Sequence, residues 1–322
     1  MKRLILLLAL VALVSVCAAP LAAQSPAPGK QTVQERLGYP ANARLLIIHA
    51  DDFGMDHAVN RAIIDALEHG WVTSASIMVP CPWFPEVAAW ARAHPDADLG
   101  IHLVLTSEWT PYRWGPISGR DQVRSLLAAD GYLPLLAESA SKQAKPKEAE
   151  RELRAQIEFA RAAGVHITHL DTHMGTVLQT EQLLHTYQGL AKSYALPAML
   201  PHGTDPGDQP PPPWAAAAMK DALLDRVVQM SPGVPPEQWL DAYKKMLAPL
   251  PPGVYQLIVH LAYDDPEMQG ATYDHPNWGS AWRQQDLNVV KSEEFRAFLK
   301  QQGFQLITWR ELAKGRVTTA LR

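Results

Sequence analysis

The sequence predicts an α/β fold: a single-domain, distorted TIM-like (β/α) barrel of about seven parallel strands with long loop insertions. Three observations predict it. Short apolar runs of strand length alternate with stretches of helical periodicity, the order a parallel sheet needs because each strand returns through a crossover. Two irregular stretches, Ser107 to Pro146 and Pro201 to Pro236, follow strand runs, where α/β enzymes carry their binding loops. Carboxylates and imidazoles gather at the ends of several strand runs.

Element by element, Lys2 and Arg3 form a positive start, Leu4 to Val16 is almost unbroken apolar sequence, and small residues follow as far as Ala23. This reads as a cleaved signal peptide over 1–23, too short to span a bilayer comfortably, and places the mature protein outside the cytoplasm or in the periplasm. A lipoprotein anchor at Cys17 is disfavoured by the bulky Val16 before it. A flexible lead-in is expected over 24–41 and the barrel over 42–316. Strands are expected at Leu45–Ala50, Val72–Val79, Leu99–Leu105, Ile167–Leu170, Ala195–Leu200, Val254–Leu261 and Phe304–Ile307. Helices are expected at Asp56–His69, Phe84–Ala93, Lys147–Ala163, Glu181–Ser193, Gln238–Leu247 and Glu293–Gln301. Gly70 and Gly164 close two of these helices in the manner of C-caps.

Composition narrows the classes. The formal charge of the 322 residues is −4, with no run of Lys or Arg, which disfavours nucleic acid and anionic membrane surfaces as partners. Cys17 and Cys81 are the two cysteines, so loss of the leader leaves Cys81 alone and no internal disulfide. Several of the ten Trp (Trp83, Trp109, Trp114, Trp214, Trp278 and Trp282) lie in loop-like contexts and suit the faces of sugar rings, or else ordinary packing.

Chemistry is expected where strands end. Asp51-Asp52-Phe53-Gly54 follows the first strand, His102 sits in the third, and His260 closes a late one. His169, Asp171 and His173 alternate with Leu170 and Thr172, which puts them on one side of an extended chain. Imidazoles and carboxylates converging at a barrel mouth with an open position are how a catalytic divalent site is built. On extended backbone Asp51 and Asp52 point opposite ways, which suits a metal ligand beside a base better than the facing carboxylates of a glycoside hydrolase. A barrel glycosidase and a non-catalytic carbohydrate-binding protein stand as the alternatives. Asp56 reads as a helix cap, and His57, His69, His94 and His185 as solvated helix residues.

Taken in order, Asp51-Asp52-Phe53-Gly54, Asn60, Gly70-Trp71-Val72-Thr73-Ser74-Ala75-Ser76, Gly100-Ile101-His102-Leu103-Val104-Leu105-Thr106 and Thr168-His169-Leu170-Asp171-Thr172-His173 resemble the YdjC/ChbG/HpnK family of carbohydrate deacetylases. The resemblance implies a divalent metal, Zn or Mg, held by Asp52, His102 and His173. It implies Asp51 as general base and, through a looser match, His260 as the acid, an imidazolium donor near neutral pH. His169 and Asp171 would support the ligands or the substrate. The implied substrate is an acetylated carbohydrate, most readily an N-acetylated amino sugar. Members commonly continue the last motif with further alternating histidines, whereas Met174-Gly175-Thr176-Val177 follows here, so one imidazole on the substrate side is missing.

Overall fold

The computed structural model describes residues 31–201, 212–220 and 222–315. The expected leader 1–23 and the first part of the lead-in, 24–30, lie outside the described residues; the rest of the lead-in holds a short helix, Val33–Arg36, begun by a capping box between Thr32 and Glu35. Thr32 onward forms one structural unit.

Seven parallel strands build one sheet: β1 (Arg44–Phe53), β2 (Ser74–Ile77), β3 (Leu99–Leu103), β4 (Ile167–Thr172), β5 (Arg226–Gln229), β6 (Gly253–His260) and β7 (Phe304–Leu306). The order is β4-β3-β2-β1-β6-β5, with β7 also on β1. No continuous ladder joins the outer strands β4 and β5 among the described residues. Segment 197–201 lies between them, bridging Leu170 to Ala198 and Pro201 to Leu224. The architecture is the expected distorted barrel.

The strand count comes out as expected, with one exchange. Ala195–Leu200 contributes only those isolated bridges, because Pro197 and Pro201 remove the N–H groups a ladder would need. The missing strand is β5, inside the stretch read as an insertion. Helices stand at His57–Glu68, Phe84–Ala93, Pro146–Ala162, Glu181–Ser193, Trp239–Leu247 and Glu293–Gln301, within a residue or two of expectation. Ser280–Val290 is a further helix that sequence periodicity did not reveal. No helix among the described residues is long and apolar enough to cross a membrane.

Alternate residues of β1 feed different cores, as the two-residue period of a strand requires. Leu46, Ile48 and Ala50 join the large cluster that packs against the helices. Leu45 and Ile47 join a smaller one with Val254, Met199, Leu224, Ile307 and Trp309. Each fully buried aliphatic side chain of this kind contributes roughly 1.5–3 kcal/mol. Toward the C-terminal ends of the strands the same inner face turns polar, with His49, Asp51, His102, His169 and Asp171 all buried.

Candidate active site

The site begins at an irregularity in β1. Its register with β2 runs regularly from His49 to Ala50 and then shifts before Phe53, so the break falls at Asp51-Asp52. Asp52 there has φ +69°, a left-handed conformation that Asp tolerates better than most residues. The turn brings Asp52 to the same pocket as Asp51. The expectation that the two carboxylates point opposite ways is therefore corrected: a bulge, not regular strand, carries them. Gly54 follows with φ +103°, and a Cβ there would stand 3.3 Å from Met78 O, so glycine is required. Its N–H donates to Asn60 Oδ1 at 2.7 Å, while Asp56 caps the next helix by accepting from Ala58 N at 2.7 Å.

Around Asp52 the expected residues converge. Asp52 Oδ1 lies 3.4 Å from His102 Nε2 and 3.4 Å from His173 Nδ1. That oxygen is buried and has no hydrogen-bond partner. Three side chains offering two nitrogens and one oxygen around an orphaned carboxylate oxygen fit a divalent cation. Asp51 Oδ2 is 3.8 Å from His102 Nε2 and 3.9 Å from His260 Nε2, and Asp51 and His260 are register partners on β1 and β6. Asp171 stands opposite His102 on the β4–β3 ladder, engages His102 Nδ1 through Oδ1 and meets His49 Nε2 through Oδ2 at 2.9 Å. His169 lies deeper, stacked on Trp309 at 4.9 Å and edge-on to His49 at 5.0 Å. It supports the barrel interior and does not line the pocket.

Two site residues escaped the sequence. Arg283, on the helix Ser280–Val290, donates from Nη2 to Asp52 Oδ2 at 2.7 Å and from Nε to Trp278 O at 2.6 Å. Glu108, at the start of the first insertion, holds His173 Nε2 at 2.9 Å. Arg283 shares a buried stripe at helical spacing with Asp286, Leu287 and Val290, but two of the four are charged, so apolar periodicity does not mark it. Nothing local marks Glu108.

Electrostatics separate the paired carboxylates. Burial pushes the Asp51 carboxyl up to about 7, against the opposing pull of His102. Burial acts on Asp52 in the same direction, but the Arg283 guanidinium and the nearby His102 and His173 rings outweigh it and hold that carboxyl well below the usual range. Burial lowers the His260 imidazole to about 3. Burial of that ring works against the expected standing imidazolium donor.

The pocket, about 750 Å³, is lined by Asp51, Asp52, His102, His173, His260 and Arg283 on its floor. Gln229, Thr110 and Asn277 add neutral hydrogen-bonding groups, and Trp109 and Trp278 add rings. Of the loop tryptophans, Trp109 and Trp278 line the pocket, while Trp83, Trp114, Trp214 and Trp282 do not. His57, His69, His94 and His185 take no part in it, as expected.

The family described as YdjC-like protein matches residues 45–301. A carbohydrate deacetylase of Thermus thermophilus is 37% identical over 279 residues, covering 86% of this chain and 96% of the relative. One of Brevibacillus brevis is 30% identical over 276 residues, covering 83% and 99%. A solved Enterococcus faecalis protein, named for a proposed cleavage of cellobiose phosphate, is similar with a TM-score of 0.70 at 25% identity, covering 84% of this chain and 99% of that one.

Proposed function

This chain belongs to the YdjC-like family, and from that premise we propose that it is a metal-dependent hydrolase removing acetyl groups, N-acetyl foremost, from an amino sugar or oligosaccharide. The observation that carries the reading is the convergence of His102 Nε2 and His173 Nδ1 on the buried, unpartnered Oδ1 of Asp52. These three residues would hold the cation, and two imidazole nitrogens favour zinc over magnesium. A divalent ion held there supplies Lewis acidity to an acyl oxygen and makes a nearby water easier to deprotonate.

The remaining steps belong to the chain's own groups. Arg283 keeps Asp52 ionised and fixes its orientation through Oδ2. Asp51, its carboxyl poised at about 7, takes a proton from the attacking water at Oδ2. His260 Nε2, 3.9 Å from Asp51 Oδ2, assists as the proton held on Asp51 passes to the departing amine nitrogen. One proton thus leaves the water and arrives on the amine. Trp109, Trp278 and the neutral polar groups suit a sugar ring with its hydroxyls. The apolar N-terminal run supports action outside the cytoplasm.

The test is acetate release from a panel of N- and O-acetylated sugars, with and without chelator. Release that stops with chelator and returns with added zinc supports the reading. Sugar binding without acetate release, or release indifferent to chelator, overturns it.

A further inference from the structure

The two imidazoles around Asp52 are held by opposite ring nitrogens. His102 is engaged at Nδ1 by Asp171 Oδ1, with Ser76 Oγ 3.2 Å from the same nitrogen, so Nε2 faces Asp52. His173 is reversed: Nε2 meets Glu108 Oε2 at 2.9 Å, and Nδ1 faces Asp52. A neutral imidazole carries one N–H and one lone pair, and a carboxylate beside one nitrogen favours the tautomer whose N–H points at it. The lone pair is then forced onto the other nitrogen.

We infer that Asp171 and Glu108 are positioning residues that lock His102 and His173 in opposite tautomers, so that His102 ligates through Nε2 and His173 through Nδ1; this rests on the metal reading above. Asp171 is itself fixed. It is buried on β4, paired in register with His102, and its second oxygen is occupied by His49 Nε2. Glu108 comes from the insertion after β3, so the ligand geometry at His173 depends on how that insertion seats. Its neighbours seat it firmly. Ser107 Oγ accepts from Trp114 N at 2.9 Å, and Trp114 Nε1 donates to Thr106 O at 2.8 Å. Farther along, Glu152 accepts from Ile117 N and Ser118 N at 2.9 and 2.8 Å. Loss of either carboxylate frees its histidine to adopt the tautomer with an N–H aimed at the cation.

The experiment has two arms. In the first, cobalt(II), a spectroscopic substitute for zinc, is titrated into chelator-stripped full-length protein and into Asp171→Asn and Glu108→Gln. Each variant should bind about 10–100-fold more weakly than the parent, with a changed visible spectrum, while the metal-free parent and Glu108→Gln melt at similar temperatures. In the second arm, which needs no variant to fold, long-range proton–nitrogen spectra of the zinc-loaded, ¹⁵N-histidine-labelled parent should show a protonated Nδ1 on His102 and a protonated Nε2 on His173. Cobalt affinity unchanged in both variants, or the same nitrogen protonated on both rings, overturns the inference and leaves the metal centre standing. A parent that takes up no cobalt overturns the metal reading itself.

Discussion

Asp51 and Asp52 are adjacent in sequence, yet one is paired with a buried guanidinium and the other is not. That difference assigns their roles, because a cation-paired carboxylate stays ionised as a ligand while an unpaired buried one titrates near neutrality. Asp51→Asn should therefore keep its metal, measured by elemental analysis, and lose about 10²–10⁴-fold in turnover. Metal and activity falling together would make Asp51 a ligand. His260→Ala should depress turnover on an amide far more than on a matched activated ester, because an alkoxide of low pKa leaves without help and an amine does not. Equal losses on both substrates would remove His260 from proton delivery. Asp51, Asp52 and His260 were legible because polar groups closing apolar runs are conspicuous, and His102 and His173 because an imidazole inside an apolar run, or alternating along an extended one, stands out. Glu108 and Arg283 were not, since their meaning lies in partners distant in sequence: 65 residues separate Glu108 from His173, and 231 separate Arg283 from Asp52.

At the level of elements, irregularities do the placing. The bulge ending β1 swings Asp52 inward, and a second shift, between Leu99 and Ile101 on β3, gives β4 one extra residue. That extra residue seats the His169 ring directly over Gly100. A Cβ on Gly100 would stand 2.3 Å from His169 Nε2. The ring has little room to retreat, being stacked on Trp309, edge-on to His49 and within 2.9 Å of Thr168 Oγ1 at Nδ1. Gly100→Ala should destabilise the protein by about 1–3 kcal/mol in urea unfolding. The cost should shrink in a His169→Ala background, and an undiminished cost there would exonerate the contact. Bulges of this kind were invisible in the sequence, because periodicity reports regular backbone only. β5 was overlooked for a related reason: Arg-Val-Val-Gln is short, has polar ends and sits among prolines. The long apolar strands β1 and β6 and the amphipathic helices were legible because burial on their faces dictates composition.

At the scale of the molecule, the helix Ser280–Val290 ties the site to the frame. Its Arg283 reaches Asp52 at the end of β1, and its Asp286 accepts from His260 N on β6 at 2.8 Å and from Tyr243 Oη on the helix Trp239–Leu247. Burial pushes the Asp286 carboxyl from 3.8 up to about 7, although both of those hydrogen bonds oppose it. The consequence for folding has a definite sign. Below about 4 both folded and unfolded chains hold the proton, and Asp286 gives stability no pH dependence. Between 3.8 and about 7 the unfolded chain has released the proton while the folded one retains it, so stability falls as pH rises. Above about 7 both forms are ionised and the loss is complete, on the order of a few kcal/mol for a fully buried group. Asp286→Asn cannot ionise but keeps an acceptor oxygen for one of its two donors, so its offset from the parent should come from hydrogen bonding and stay constant with pH. The difference in unfolding free energy between parent and variant should consequently move in the variant's favour from pH 4 to pH 7 and level off above it, as read from urea midpoints at each pH. Other titrating groups act on both proteins alike and cancel in that difference. A difference that stays flat across the range would mean that Asp286 is ionised throughout in the folded protein, and that its hydrogen bonds to Tyr243 and His260 outweigh burial.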